Sequence, residues 1–196
     1  MSTIRRIARL ATLAAVLLGS SALHAQTASP APVVVTLETT LGPIVLELDA
    51  QHAPHTVANF VQYVKDGFYT GTIFHRVIPG FMIQGGGYTQ ELQQKTPRPP
   101  IAIESNNGLK NARGSVAMAR TSDPNSATSQ FFINLVDNAF LDYPGRDGNG
   151  YTVFGRVVQG MDVADKIGGT PTANKSAAFA NLPTTPVVIE KARIGK

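Results

Sequence analysis

From residue 33 onward the chain alternates apolar and polar positions in short runs. Val33 to Thr39 alternates and is rich in β-branched residues, Leu41-Gly42-Pro43 breaks the run, and Ile44 to Asp49 alternates again. The pattern predicts a β-hairpin. The period then changes. Pro54 suits the first turn of a helix, Val57, Phe60, Val61 and Val64 recur at helical spacing, and Gly67 closes the segment. A shorter helix is predicted around Met161, Val163, Ala164 and Ile167, ending at Gly168-Gly169. Between and after the helices, apolar runs at 73–78, 81–84, 101–103, 115–119, 130–135, 152–158 and 187–194 are separated by turn residues. Two helices with about eight short strands point to a closed barrel or a sandwich, and the pattern does not choose between them. Residues 171–186 read as a polar loop before the last strand.

Composition changes this picture at one end. Of 196 residues, 43% are apolar, with 18 Gly and 13 Pro, the make-up of one globular domain rich in turns. There is no cysteine, so disulfide, thiolate-metal and thiol-redox chemistry are excluded. The net charge of +4 is uneven: the first 25 residues hold Arg5, Arg6 and Arg9 and no acid. Without them the chain carries 14 basic and 13 acidic residues, and nothing electrostatic points to nucleic acid. Those 25 residues have the form of a cleavable signal peptide. A basic start leads into an apolar stretch from Leu10 to Leu18, too short to span a bilayer, and small residues follow up to Ala25. Residues 26–32 are then a flexible spacer and 33–196 the domain, with no stable membrane insertion after cleavage.

The candidate chemistry concentrates in Phe74-His75-Arg76-Val77-Ile78-Pro79-Gly80-Phe81-Met82-Ile83-Gln84-Gly85-Gly86-Gly87. Strict alternation would put Phe74, Arg76 and Ile78 on one strand face and His75 and Val77 on the other. Phe81 and Met82 offer large adaptable apolar surface, Gln84 a donor and an acceptor, and the glycines let backbones approach. In a second segment Gln130 and Phe132 share a face, and Phe140-Leu141 adds apolar surface. Together these groups could line a shallow apolar pocket rimmed by one cation and two amides.

The run FHRVIPGFMIQGG (74–86) resembles the signature of the cyclophilins, and SVAMAR (115–120), SQFFI (129–133) and VFGRV (153–157) resemble further segments of that family in the same order. The resemblance spans 33–194. It implies a mainly β fold, a closed eight-stranded antiparallel barrel capped by two α-helices, and peptidyl-prolyl cis–trans isomerase activity without metal or cofactor. By position it puts the catalytic arginine on Arg76. The proline pocket falls on Phe81, Met82, Phe132 and Leu141, and the polar contacts on Gln84 and Gln130. Ala119, Arg120 and Thr121 fall beside the bound peptide. Phe140 stands where many members have tryptophan, a change the family associates with weak cyclosporin binding, and Tyr151 stands near a frequent pocket histidine. Arg120 replaces an asparagine, which suggests a taste for acidic or extended peptides. The partners implied are proline-containing segments of unfolded or folding proteins, met by a monomer. The leader and the SATSQFFINL stretch are most similar to periplasmic bacterial forms.

Competing readings are simpler. His75, turned away from Arg76, reads as a support of its strand. His52 and His55 have a spacing a metal could use but no third ligand. Asp142 to Gly150 faintly resembles a calcium loop without its alternating acids or closing glutamate, so it reads as a solvated turn. Ser126, Ser129 and His75 form no nucleophile motif. A binding module that holds proline-rich segments without turnover remains the alternative from another class.

Overall fold

The computed structural model describes residues 32–195; the segments read as leader and spacer lie outside them, Pro32 excepted. Among the described residues the strands are β1 (Val33–Thr39), β2 (Gly42–Leu48), β3 (Thr72–Ile78), β4 (Met82–Thr89), β5 (Ser115–Met118), β6 (Phe131–Asn134), β7 (Val153–Gln159), β8 (Thr172–Ala173), β9 (Leu182–Pro183) and β10 (Val188–Ile194). Eight of them close into an antiparallel barrel in the order β1-β10-β3-β4-β6-β5-β7-β2. The choice left open by pattern is thereby settled in favour of the barrel. Closure removes the free edges that an open sheet of this size would expose.

The predicted hairpin is β1 and β2, with Thr39 opposite Gly42, so the turn is the two residues Thr40-Leu41 rather than Leu41 to Pro43. Both predicted helices form: α1 is Pro54–Lys65 and α2 is Met161–Gly168. The barrel interior and the inner faces of the helices make one apolar cluster. Phe60 of α1 is fully buried among Tyr69, Phe131 and Phe154, at ring-centroid distances of 5.0, 5.4 and 5.1 Å. Helix α1 begins without a capping side chain of its own. Glu104, 48 and 49 residues away, takes that role. Its carboxylate accepts from the backbone N–H of His55 (3.1 Å) and Thr56 (2.8 Å) and from the Thr56 hydroxyl (2.7 Å).

Three sequence expectations fail for identifiable reasons. The run at 101–103 forms no strand; Ile101 makes a single bridge to Ala127 and packs its side chain against the core from a loop. The supposed polar loop at 171–186 contains the β8–β9 ladder, and its Asn181 carbonyl accepts from the Val77 N–H at 2.9 Å. Strict alternation along β3 also breaks. Phe74 pairs with Gly85 and Arg76 with Gln84, so β3 advances two residues while β4 advances one. This bulge turns Phe74 into the interior cluster with Val77, away from the face of Arg76 and Ile78.

Candidate active site

The wall formed by β4, β6, β5 and β7 separates two apolar clusters. Strand alternation sends Ile83, Val116, Met118, Phe131, Ile133 and Phe154 into the barrel. It sends Met82, Ala117, Phe132 and Val153 outward, where they form a second buried cluster. Ile78, Phe81, Leu109, Ala119, Leu141 and Tyr151 pack around this outer cluster, each half-buried. The predicted pocket residues Phe81, Met82, Ala119, Phe132, Leu141 and Tyr151 therefore converge, on the outside of the barrel wall. Sequence reasoning missed Ala117, Val153 and Leu109. The first two are visible only through register, because Ala117 pairs with both Phe132 and Val153.

The polar rim follows from the same ladder. Arg76 pairs with Gln84, Gln84 with Phe132, and Phe132 with Ala117, a row running across four strands. Arg76 is half-buried, and among the described residues no carboxylate pairs with it. Gln84 Nε2 donates to Gln130 Oε1 at 3.0 Å. Gln130 is carried by a segment pinned from the core and from α1: Tyr69 donates its hydroxyl to Ser129 O at 2.9 Å, and Asn59 Nδ2 donates to Thr128 O at 2.7 Å. Gly87 leaves the space the Gln130 side chain occupies, since a Cβ there would lie 2.6 Å from Gln130 Cγ.

The aromatic side of the pocket rests on a buried polar network that pattern did not reveal. Asn138 Nδ2 donates to Phe81 O (3.0 Å) and to Asn134 Oδ1 (2.7 Å). Asn134 Nδ2 in turn donates to Asn111 Oδ1 (3.2 Å) and Ser115 Oγ (2.8 Å). Asn111 donates from its backbone to Asp142 Oδ1 at 2.6 Å. The network links the Phe81 turn to the short 3-10 helix Ala139–Leu141. Phe140 on that helix is 42% exposed and stacks on Phe81, with centroids 5.7 Å apart.

The remaining predicted contacts behave differently. The Arg120 side chain is only 3% exposed and is bonded to Gly150, to Thr121 and to the exposed Asp147. Thr121 is exposed, and both its N–H and its hydroxyl are within hydrogen-bond reach of Ser126 Oγ, at 2.9 and 2.8 Å. His75 is 5% exposed, its ring 4.8 Å from that of Tyr88, and its Nδ1 is buried without a hydrogen-bond partner. Burial, and after it the Arg76 charge, lowers its pKa to about 4, against a smaller opposing pull from the Ile73 backbone. His52 is engaged by Asp49, with Nδ1 2.7 Å from Oδ2.

Residues 34–194 match the family of cyclophilin type peptidyl-prolyl cis-trans isomerases. The chain belongs to that family. Among its relatives, it is 57% identical over 162 residues to peptidyl-prolyl cis-trans isomerase A of Dickeya dadantii, covering 83% of this chain and 84% of the relative. It is 52% identical over 165 residues to peptidyl-prolyl cis-trans isomerase B of Escherichia coli, covering 83% of this chain and 100% of that one. In fold it is similar to a cyclophilin type isomerase of Cryptosporidium parvum solved in the presence of the dipeptide Ala-Pro. That match has a TM-score of 0.69 and 26% identity, over 83% of this chain and 99% of the other. The cyclophilin resemblance, the barrel and the enzyme class drawn from the sequence are thus all upheld. The activity is peptidyl-prolyl cis–trans isomerisation.

Proposed function

We propose that this cyclophilin accelerates Xaa–Pro isomerisation in exported, unfolded or folding proteins, with Arg76 stabilising the twisted amide over the outer apolar cluster. The observation that carries the reading is the row Arg76–Gln84–Phe132, which brings a cation without a carboxylate partner among the described residues alongside an apolar floor. Resonance gives a prolyl peptide bond a rotation barrier of about 18–20 kcal/mol. At the top of that barrier the prolyl nitrogen becomes pyramidal and exposes a lone pair. A guanidinium is always charged and directs its donors in a plane, so Arg76 can donate to that nitrogen or hold the neighbouring carbonyl oxygen. Phe81, Met82, Phe132 and Leu141 grip the proline ring, and Gln84 and Gln130 orient the flanking backbone. Neither a covalent intermediate nor a general base is needed. An acceleration of about 10⁵ corresponds to about 7 kcal/mol of differential stabilisation, within reach of one charge-assisted hydrogen bond in a dry pocket plus anchoring of the ring.

We place the enzyme in the periplasm as a monomer. Residues 1–25 direct export and are removed, residues 26–32 form a spacer, and proline-containing segments of exported proteins are the clients. The support is the basic, then apolar, then small-residue order of the first 25 positions and the resemblance to bacterial isomerases. Among the described residues no helix is long and apolar enough to cross a membrane.

A protease-free assay of proline isomerisation in a short peptide, comparing the natural chain with Arg76→Ala, tests the mechanism. Arg76→Ala is expected to lose about two orders of magnitude in kcat/KM while still binding the peptide. Full activity in Arg76→Ala would overturn the role given to Arg76, and peptide binding without turnover by the natural chain would leave only a holding function. N-terminal sequencing of protein recovered from the cell envelope tests export. Retention of Met1 there would refute cleavage.

A further inference from the structure

Resting on the isomerase reading above, we propose that Arg120 is a positioning residue: fastened to the loop at 142–150, it holds Tyr151 as a wall of the proline pocket and so sets affinity for Xaa–Pro peptide without contacting it.

Position 120 lies beside the expected peptide path, where a cation invites the idea of an electrostatic contact with substrate. The geometry points elsewhere. A buried guanidinium is tolerated only when its donors are used, and those of Arg120 are used by the protein's own loop and backbone. Nε and Nη2 both donate to Gly150 O, at 3.0 and 2.7 Å, and Nη1 donates to Thr121 O at 2.9 Å. Nη2 also meets the Asp147 carboxylate. Four of its five N–H donors are used this way, which leaves no two-donor edge to grip a substrate carboxylate.

What the guanidinium does offer the pocket is its flat surface. Its Cζ lies 4.5 Å from the centre of the Tyr151 ring, the arrangement of a cation–π contact. The Tyr151 ring in turn meets Phe132 edge-on, with centroids 5.7 Å apart and planes at 79°. Phe132 belongs to the buried floor of the outer cluster, so the sequence of contacts runs from Arg120 through Tyr151 to the floor that takes the proline ring.

The far end of the latch is built for the purpose. Asp147 Oδ1 accepts from the N–H groups of Asn149 and Gly150, both at 3.0 Å, while its other oxygen faces Arg120. Arg120 foremost, and those N–H groups after it, lower the Asp147 pKa to about 2, so the pair stays charged at any ordinary pH. Gly150 adopts φ +63, and a Cβ on it would come within 2.7 Å of Tyr143 N, so the loop folds tightly back on itself before delivering Tyr151. The Tyr151 N–H then donates to Leu141 O at 2.9 Å, joining two pocket residues.

The test is a double-mutant cycle in the peptide isomerisation assay. Arg120→Met, which keeps length and removes the donors, is expected to raise KM about five- to tenfold with kcat within about twofold. In a Tyr151→Ala background the same substitution is expected to change KM by less than about twofold, because its target is gone. Asp147→Asn, an exposed change that leaves the fold intact, is expected to raise KM about two- to threefold and to lose that effect in Tyr151→Ala. This second cycle decides the matter if Arg120→Met does not fold. The preference between peptides with Glu and with Ala before proline is expected to be the same in Arg120→Met and the natural chain. A KM effect that persists without Tyr151, or a loss of preference for Glu, would overturn the proposal in favour of direct contact. An inactive natural chain would instead overturn the isomerase reading on which it rests.

Discussion

Gln84 and Gln130 face each other across the rim of the outer cluster, the amide nitrogen of one donating to the amide oxygen of the other at 3.0 Å. Two amides joined this way have fixed orientations, which leaves the Gln130 nitrogen and the Gln84 oxygen free to meet a peptide backbone. Gly87 is the hidden requirement, because a methyl group there would collide with Gln130 Cγ, Cδ and Nε2 at 2.6 to 2.8 Å. Gly87→Ala should therefore rotate Gln130 away and break the pair without disturbing the barrel. The expected outcome is a rise of about five- to tenfold in KM, equivalent to about 1 kcal/mol of lost binding. The companion measurement is Gln130→Ala, which should match Gly87→Ala. A Gly87→Ala enzyme with the natural KM would show that Gln130 does not orient the peptide.

The buried asparagines make a second prediction. Asn138 holds the Phe81 carbonyl and Asn134 at once, and Asn134 passes the network on to Asn111 and Ser115. Asn138 is 2% and Asn134 0% exposed, so deleting one partner strands polar atoms out of reach of water. Asn138→Ala should cost about 1–3 kcal/mol in denaturant unfolding. It should also loosen Phe81 against Phe140, which a fall in kcat/KM larger than that of any exposed substitution on α2 would report.

Helix α1 gives a prediction confined to stability. Glu104 supplies the acceptors that the start of this helix lacks locally. Glu104→Ala should lower stability by about 1–2 kcal/mol, or a Tm drop of about 2–8 °C for a domain of this size. Kinetic constants should be unchanged, since Glu104 is not among the residues of the outer cluster. A variant that is as stable as the natural chain would mean that the helix start is satisfied by water.

Much of this architecture is legible in the chain, and the failures share a cause. Apolar period alone locates both helices and all eight barrel strands, because each element must bury one face. The side of the wall to which a residue points depends on register, and a single bulge changes it. Phe74 was expected beside Arg76 and lies inside the barrel, because β3 carries one extra residue opposite Gly85 and Gln84. The proposed pocket residues Met82 and Phe132 follow from the resemblance to the cyclophilins. Ala117 and Val153 do not stand out, since a small or β-branched residue in an apolar run looks like any core position. The engagement of Arg120 by its neighbouring loop is equally hidden. It depends on Gly150 and Asp147, which meet it only in three dimensions.

His75 carries the prediction about pH. Its ring, carried by β3, is buried against Tyr88 and flanked in sequence by the Arg76 charge, and its Nδ1 has no hydrogen-bond partner. Burial first, and Arg76 second, bring its pKa from 6.5 down to about 4 in the folded chain. Well above pH 6.5, from about pH 7.5 upward, the ring is neutral whether the chain is folded or not, and His75 adds almost no slope to stability. Between pH 6.5 and about 4 the unfolded chain takes up a proton that the folded chain refuses, so stability must fall as pH falls through this window. The loss tends toward about 3 kcal/mol at its lower end. Asp147 and Asp165, whose pKa values are lowered by Arg120 and Arg113, contribute in the same direction mainly below the usual carboxylate range, so the upper part of the window belongs to His75. Urea unfolding at intervals from pH 7 to pH 4.5 should show this slope, and His75→Gln should flatten it while leaving kcat at neutral pH within about twofold. An unchanged slope in His75→Gln would mean that another group accepts the proton, and a large loss of kcat at neutral pH would move His75 from supporting the strand into the reaction itself.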